Sequence, residues 1–236
     1  MRRFSVTSIL AVASLLAATA WMCGCKSDAG KPAESSSAPV AAPPSSAAVA
    51  DTRPVIVCFG DSITAGLGVD PEVNYPADLQ HELDARGFHY RVANMGVSGE
   101  TTKDGLARVA QVLARKPELV IVEFGGNDGL RGLPVEESQK NLLAIVTALW
   151  QSGAKVLLVA ITLPQQYGPD YISRFEAIYP AVAKQAHVPL LGFAEFSKGL
   201  LSDSSNVQDD GIHPTASGDA IIARNMADTL TQILRK

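Results

Sequence analysis

The sequence predicts an α/β fold, a three-layer α/β/α sandwich around a central five-stranded parallel sheet, and three observations predict it. Short, continuous apolar runs alternate with longer segments of helical period. The runs do not alternate polar with apolar residues, so both of their faces are expected to be covered. Polar turns follow the runs, and in an open parallel sheet the crevice beyond the carboxyl ends of the strands is where ligands bind.

The first run, Val55 to Phe59, feeds directly into Gly60-Asp61-Ser62. Tyr75, Leu79 and Leu83 then share one helical face. Tyr90 to Ala93 is the second strand, followed by Asn94-Met95-Gly96-Val97-Ser98-Gly99, and Leu106, Val109, Ala110 and Leu113 mark the next helix. Leu119 to Phe124 is the third strand; Gly125-Gly126-Asn127-Asp128 follows it, and then the stripe Leu142, Leu143, Val146, Leu149. Val156 to Ile161 is the fourth, with Tyr171, Phe175, Ile178, Tyr179 and Val182 read as one helix behind it. Val188 to Leu191 is the fifth; Asp209-Asp210-Gly211-Ile212-His213-Pro214 follows a short helix, and a last helix carries Ile222, Met226, Leu230 and Ile233. Strands and helices in this order require right-handed crossovers.

A chain of 236 residues that is 47% hydrophobic and 19% charged has material for one substantial core, not two. Residues 1–25 read as an export signal: Arg2 and Arg3 are the positive start, and Ile9 to Ala20 is an apolar stretch too short for a membrane span. Two cleavage readings stand. "ATA" at residues 18–20 is an ordinary small-residue site, whereas "MCGC" at 22–25 resembles the lipobox of bacterial lipoproteins and gives Cys25 a purpose as the acylated N-terminus. Residues 26–52 are a linker; Ala, Pro and Ser make up 18 of the 25 residues from Lys26 to Ala50, a composition that builds no core. The folded domain is expected to span residues 53–236. It is left with one cysteine, Cys58, expected to be a small buried hydrophobe with no disulfide to form. The net charge of -4 becomes -6 once Arg2 and Arg3 depart, so no nucleic-acid partner is expected.

The turns hold the parts of one kind of chemistry. A serine hydroxyl is a poor nucleophile until a base takes its proton. Ser62 either is that nucleophile or caps the helix behind it, and the local sequence does not separate the two. His213 is a candidate base, and Asp210, three residues earlier, would fall beside it in a helical turn, although Gly211 and Pro214 place the pair in a tight loop on the expected active edge. Gly99 lets a backbone N–H approach a ligand closely, and the Asn127 amide is a second donor for a developing oxyanion. Each has a plainer reading as a turn residue. No Cys or His pair has metal-ligand spacing, the phosphate-loop pattern is absent, and neither metal nor cofactor is expected.

"GDSITAG", the glycine of "NMGVSGETT", "GGND" and "DGIHP" resemble, in order and approximate spacing, the four signature blocks of the SGNH hydrolases, also called the GDSL esterase/lipase family. The resemblance implies a flavodoxin-like sheet, with Ser62 as nucleophile, His213 as base and Asp210 as the orienting acid. It implies an oxyanion hole made by Ser62, Gly99 and Asn127. "VEFGGNDGLRG" and "LPQQYGPDYISRFEAIYP" are similar to a bacterial periplasmic branch of that family with acyl-CoA thioesterase, lysophospholipase and arylesterase activities. The expected function is therefore hydrolysis of carboxylic esters or thioesters by a serine esterase. The alternatives are an O-acetylesterase of carbohydrate or peptidoglycan and, from another class, a non-catalytic ligand-binding lipoprotein.

Leu130, Leu133, Tyr167, Tyr171 and Ile212 form the expected substrate rim, apolar or amphipathic and suited to an acyl chain, an aryl ester or a lysophospholipid. Arg131 is either a contact for phosphate or carboxylate or a solvated charge. The expected state is a monomer tethered through Cys25 at the periplasmic side of a bacterial membrane, or a soluble periplasmic or secreted protein if the ordinary cleavage site is used.

Overall fold

The structure is a computed structural model and describes residues 51–235. The expected export signal, Cys25 and residues 26–50 of the linker lie outside the described residues. Five strands, β1 (Val55–Gly60), β2 (Arg91–Asn94), β3 (Leu119–Glu123), β4 (Lys155–Val159) and β5 (Leu190–Leu191), form one sheet in the order β2-β1-β3-β4-β5. Every neighbouring pair is parallel, which is the flavodoxin-like arrangement. The helices are α1 (Ser62–Ala65), α2 (Tyr75–Ala85), α3 (Thr102–Leu113), α4 (Gly126–Leu130), α5 (Val135–Gln151), α6 (Pro169–Glu176), α7 (Ile178–Ala186), α8 (Phe193–Phe196) and α9 (Ala216–Leu230).

Right-handed crossovers place α2 and α9 against one face of the sheet and α3, α5 and α7 against the other. β1 and β3, covered from both sides, are buried along their whole length. Fully burying a side chain such as Ile56 or Ile121 contributes about 1.5–3 kcal/mol. Cys58 lies inside this layer, and burial pushes its thiol up to about 12, so it is inert.

The order of strands fixes where the polar turns meet. From β1 the chain steps outward to β2, then crosses back over β1 to β3, so the turns after β1 and β3 diverge at a topological switch point. Gly60 pairs in register with Glu123, and the two turns leave the sheet at one level.

Three boundaries differ from the sequence reading, each for a local reason. The stripe from Tyr171 to Val182 is two helices, because Pro180 has no N–H to offer the carbonyl of Glu176 and the ladder breaks at Ala177. β5 is only Leu190–Leu191, since Pro189 cannot donate, although its carbonyl still accepts from Leu158 N at 3.1 Å. Ile233 packs against the core from a turn beyond the end of α9.

Candidate active site

Ser62 is the first residue of α1, and the structure divides the two roles that its sequence context left open. Asp61 is the cap, its carboxyl accepting from Ile63 N at 3.3 Å, so the Ser62 hydroxyl is not spent on the helix end. That hydroxyl lies 2.8 Å from His213 Nε2. On the other side of the ring, His213 Nδ1 lies 2.5 Å from Asp210 Oδ2. A proton on Nδ1, donated to Asp210, leaves Nε2 as the acceptor of the Ser62 O–H.

Asp210 and His213 lie in the tight loop that Gly211 and Pro214 pointed to, not in a helical turn. They sit in a closed loop in which Gln208 N donates to the His213 carbonyl at 2.8 Å and Val207 pairs with Pro214. Gly211 takes a φ of 70° there, and Asp210 Oδ1 accepts from Ile212 N at 2.9 Å and His213 N at 3.0 Å. Burial raises the Asp210 pKa, but the hydrogen bonds from the His213 ring and from these two N–H groups prevail and bring it to about 2. Gln208 Nε2 also reaches the Leu67 carbonyl at 2.7 Å, tying this loop to the segment behind α1.

The expected oxyanion donors Gly99 and Asn127 line one cavity with Ser62. Gly99 has a φ of 83°, a left-handed conformation that side chains rarely adopt, and it lines the same cavity as Ser62. Asn127 Nδ2 donates to the Glu100 carbonyl at 3.0 Å and to Asp61 Oδ2 at 3.2 Å. Arg131 is exposed to solvent and donates from Nη2 to the Gly99 carbonyl at 2.7 Å, so the charge also supports the loop.

Buried polar residues beneath this surface were missed by sequence reasoning. Asp128 accepts from Thr102 N at 2.8 Å, Thr102 Oγ1 at 2.6 Å and Ser138 Oγ at 3.0 Å, joining α4 to the start of α3 and to α5. Glu123 is fully buried at the end of β3, with Oε2 accepting from Thr64 Oγ1 at 2.8 Å. Burial and the neighbouring Asp61 charge hold its carboxyl well above the usual range, and burial raises Asp61 as well. The one signal for Glu123 was a lone acid closing the apolar run "LVIV".

A cavity of about 640 Å³ opens at Ser62, Gly99, Asn127 and His213, and its walls are mostly apolar, including Ile161, Leu163, Ile172, Phe196 and Leu200. Of the expected rim, Leu130 and Ile212 line it and Leu133, Tyr167 and Tyr171 do not. The two tyrosines brace α4 from outside, Tyr167 donating to the Leu130 carbonyl at 2.8 Å and Tyr171 to that of Gly129 at 3.2 Å. Leu133 is 38% exposed. Among the described residues no three His, Cys, Asp or Glu side chains group as metal ligands.

A family model described as the GDSL-like lipase/acylhydrolase family matches residues 58–221, a span that holds all four polar turns. The Pseudomonas aeruginosa protein named Esterase TesA is 43% identical over 180 residues, covering 76% of this chain and 89% of that one. The Escherichia coli K12 protein named thioesterase 1/protease 1/lysophospholipase L1 is 38% identical over 189 residues, covering 80% and 87%. A crystal structure of TesA superposes with a TM-score of 0.71 at 41% identity, over 76% of this chain and 99% of that one. With the sheet order, the four turns and these matches in agreement, the chain belongs to the GDSL-like lipase/acylhydrolase family.

Proposed function

We propose that the protein is a serine hydrolase of carboxylic esters and thioesters, acting on short- to medium-chain acyl esters, aryl esters or lysophospholipids. The observation that carries this reading is the relay from Asp210 through His213 to Ser62 Oγ, with contacts of 2.5 and 2.8 Å, at the mouth of an apolar cavity. Ser62 Oγ attacks the acyl carbonyl carbon while His213 Nε2 takes its proton. The carbonyl oxygen becomes an oxyanion facing the N–H groups of Ser62 and Gly99 and the Asn127 amide. Collapse expels the alcohol or thiol, which takes the proton from the imidazolium and leaves an acyl ester on Ser62. Water, deprotonated by the same imidazole, then attacks that ester and releases the acid.

The apolar walls favour acyl chains over acetylated sugars as substrates. The printed names of the relatives, esterase and thioesterase 1/protease 1/lysophospholipase L1, point the same way. A monomeric state belongs to this proposal. The lipid anchor belongs to this proposal too: the "MCGC" segment and the Ala/Pro/Ser-rich stretch behind it support a lipoprotein acylated at Cys25 and held at the periplasmic face of a bacterial membrane. Mass spectrometry of the mature N-terminus tests it, and an unmodified start at Trp21 overturns it.

The test of the chemistry is Ser62→Ala against p-nitrophenyl butyrate. Turnover is expected to vanish while the melting temperature is kept. Undiminished turnover overturns the assignment and favours a non-catalytic binding protein.

A further inference from the structure

Arg108 lies on α3, remote in sequence from every signature turn, yet its three guanidinium nitrogens go to three different places beneath the site. Nε pairs with Glu100 Oε2 at 2.6 Å, Nη1 donates to the Met95 carbonyl at 2.8 Å, and Nη2 donates to the Gly60 carbonyl at 3.2 Å. Gly60 directly precedes Asp61 and Ser62. Met95 and Glu100 bracket the turn that carries Gly99, and the Glu100 carbonyl is itself the acceptor that holds Asn127 Nδ2 at 3.0 Å. The same guanidinium stacks 4.6 Å from the ring centre of Phe59 and 5.9 Å from that of Phe124, the residues that end the apolar runs of β1 and β3.

The local sequence explains how an arginine reaches this place. Gly105, three residues earlier on the same helical face, brings α3 so close to Phe124 that a Cβ there would stand 2.7 Å from the ring. Glycine weakens a helix interior, and this close approach is its return. The next turn then lays Arg108 across both rings, its side chain 11% exposed. A planar fork with five N–H donors serves three divergent acceptors at once; the single ammonium of lysine does not.

We propose that Arg108 is the positioning residue of the oxyanion hole, one guanidinium setting the mutual spacing of the Ser62, Gly99 and Asn127 donors. The proposal rests on the reading of those three groups as the hole. Arg108 touches no reacting atom; it fixes the Gly60 end of the Ser62 turn, both sides of the Gly99 turn, and through Glu100 the acceptor of Asn127. Donors that stabilise an oxyanion act only where they are already in place, and a misplacement of about 1 Å costs a hundredfold in rate.

Arg108→Met keeps the aliphatic stem over the two rings and removes the fork, while Arg108→Lys keeps the charge as well. Both are expected to lower kcat for p-nitrophenyl butyrate by about 10- to 100-fold, with KM within about threefold of the parent value. Phosphorylation of Ser62 by diethyl p-nitrophenyl phosphate is expected to slow by a similar factor, because that attack also builds charge on an oxygen in the hole. Rates are referred to the concentration of folded protein, and if Arg108→Met does not fold, Arg108→Lys alone decides. A kcat within twofold of the parent in either folded variant overturns the proposal, as does a loss confined to KM or to the melting temperature. Ser62→Ala is run beside them: turnover retained by it overturns the enzymatic reading itself, whereas inactive Ser62→Ala beside fully active Arg108 variants overturns only the role of Arg108.

Discussion

Asn127 Nδ2 donates to the Glu100 carbonyl at 3.0 Å and to the Asp61 carboxyl at 3.2 Å, which orients its amide, and since the amide has two N–H groups the longer bond to Asp61 is the one given up to an oxyanion. Asn127→Ala is expected to lower kcat by about 10²- to 10³-fold, the loss typical of one oxyanion donor. KM and melting temperature are expected to change little, because the residue is only half-buried. Asp61→Ala removes a helix cap, at a cost of about 1 kcal/mol, and also frees Asn127, so kcat falls there too. Since the two residues act as a unit, the double variant is expected to be no slower than the slower single one; losses that multiply in steady-state kinetics contradict the coupling. Asp210 bears on stability in acid. Its folded pKa of about 2 lies below the ordinary 3.8, so the native state binds fewer protons than the unfolded chain between those values. The stability it adds is present above about pH 4 and lost as the pH falls toward 2. In acid titrations followed by circular dichroism, Asp210→Asn is expected to lose that part of the slope, and the change is small because the side chain is 44% exposed.

α9 begins just behind the loop that carries His213 and packs along α2. In its first turn Asp219 is fully buried, and neither carboxyl oxygen has a hydrogen bond among the described residues. Burial raises its pKa to about 7 and the Asp78 charge adds to the effect; the Tyr75 N–H at the start of α2, short of full hydrogen-bond geometry, offsets only part. A raised carboxyl reverses the sign that holds for Asp210. Between 3.8 and about 7 the native state binds more protons than the unfolded chain, so stability falls as pH rises through that window. Asp219→Asn keeps the shape and removes the charge. It is expected to flatten this fall and to raise stability at pH 8, the gain coming from loss of the buried charge alone, because the amide is itself a buried polar group. Urea denaturation at pH 5 and pH 8 measures both ends, and a variant less stable than the parent at pH 8 contradicts the argument.

A parallel sheet buried on both faces leaves uninterrupted apolar runs in the sequence, which is why β1, β3 and β4 were legible to within two residues at each end. The four polar turns were legible for a related reason, since right-handed crossovers deliver every strand end to one edge. Arg108, Glu123 and Asp219 were not, because periodicity reports which face of an element is apolar and says nothing of which distant group a buried polar side chain meets. Two of the five expected rim residues were legible: Leu130 and Ile212 line the cavity, whereas Leu133 does not and Tyr167 and Tyr171 use their hydroxyls to brace α4. The cavity itself is a property of the assembled fold, its apolar wall drawn from Ile161 and Leu163 after β4, Phe196 on α8, Leu200 and Leu201 beyond it, and Ile222 on α9. Each methylene that enters such a wall contributes about 0.8 kcal/mol, close to fourfold in kcat/KM if the gain persists in the transition state. For p-nitrophenyl esters, kcat/KM is therefore expected to climb from acetate through butyrate and to level off once the chain outgrows the cavity of about 640 Å³. Leu201 stands at the mouth and is 70% exposed, so a charge placed there costs the fold little and meets only the longer chains. Leu201→Asp is expected to lower the octanoate-to-acetate ratio of kcat/KM by about fourfold or more, the loss of one or two buried methylenes. A profile that peaks at acetate and a ratio indifferent to Leu201→Asp contradict an acyl-chain site and transfer the function to removal of O-acetyl groups.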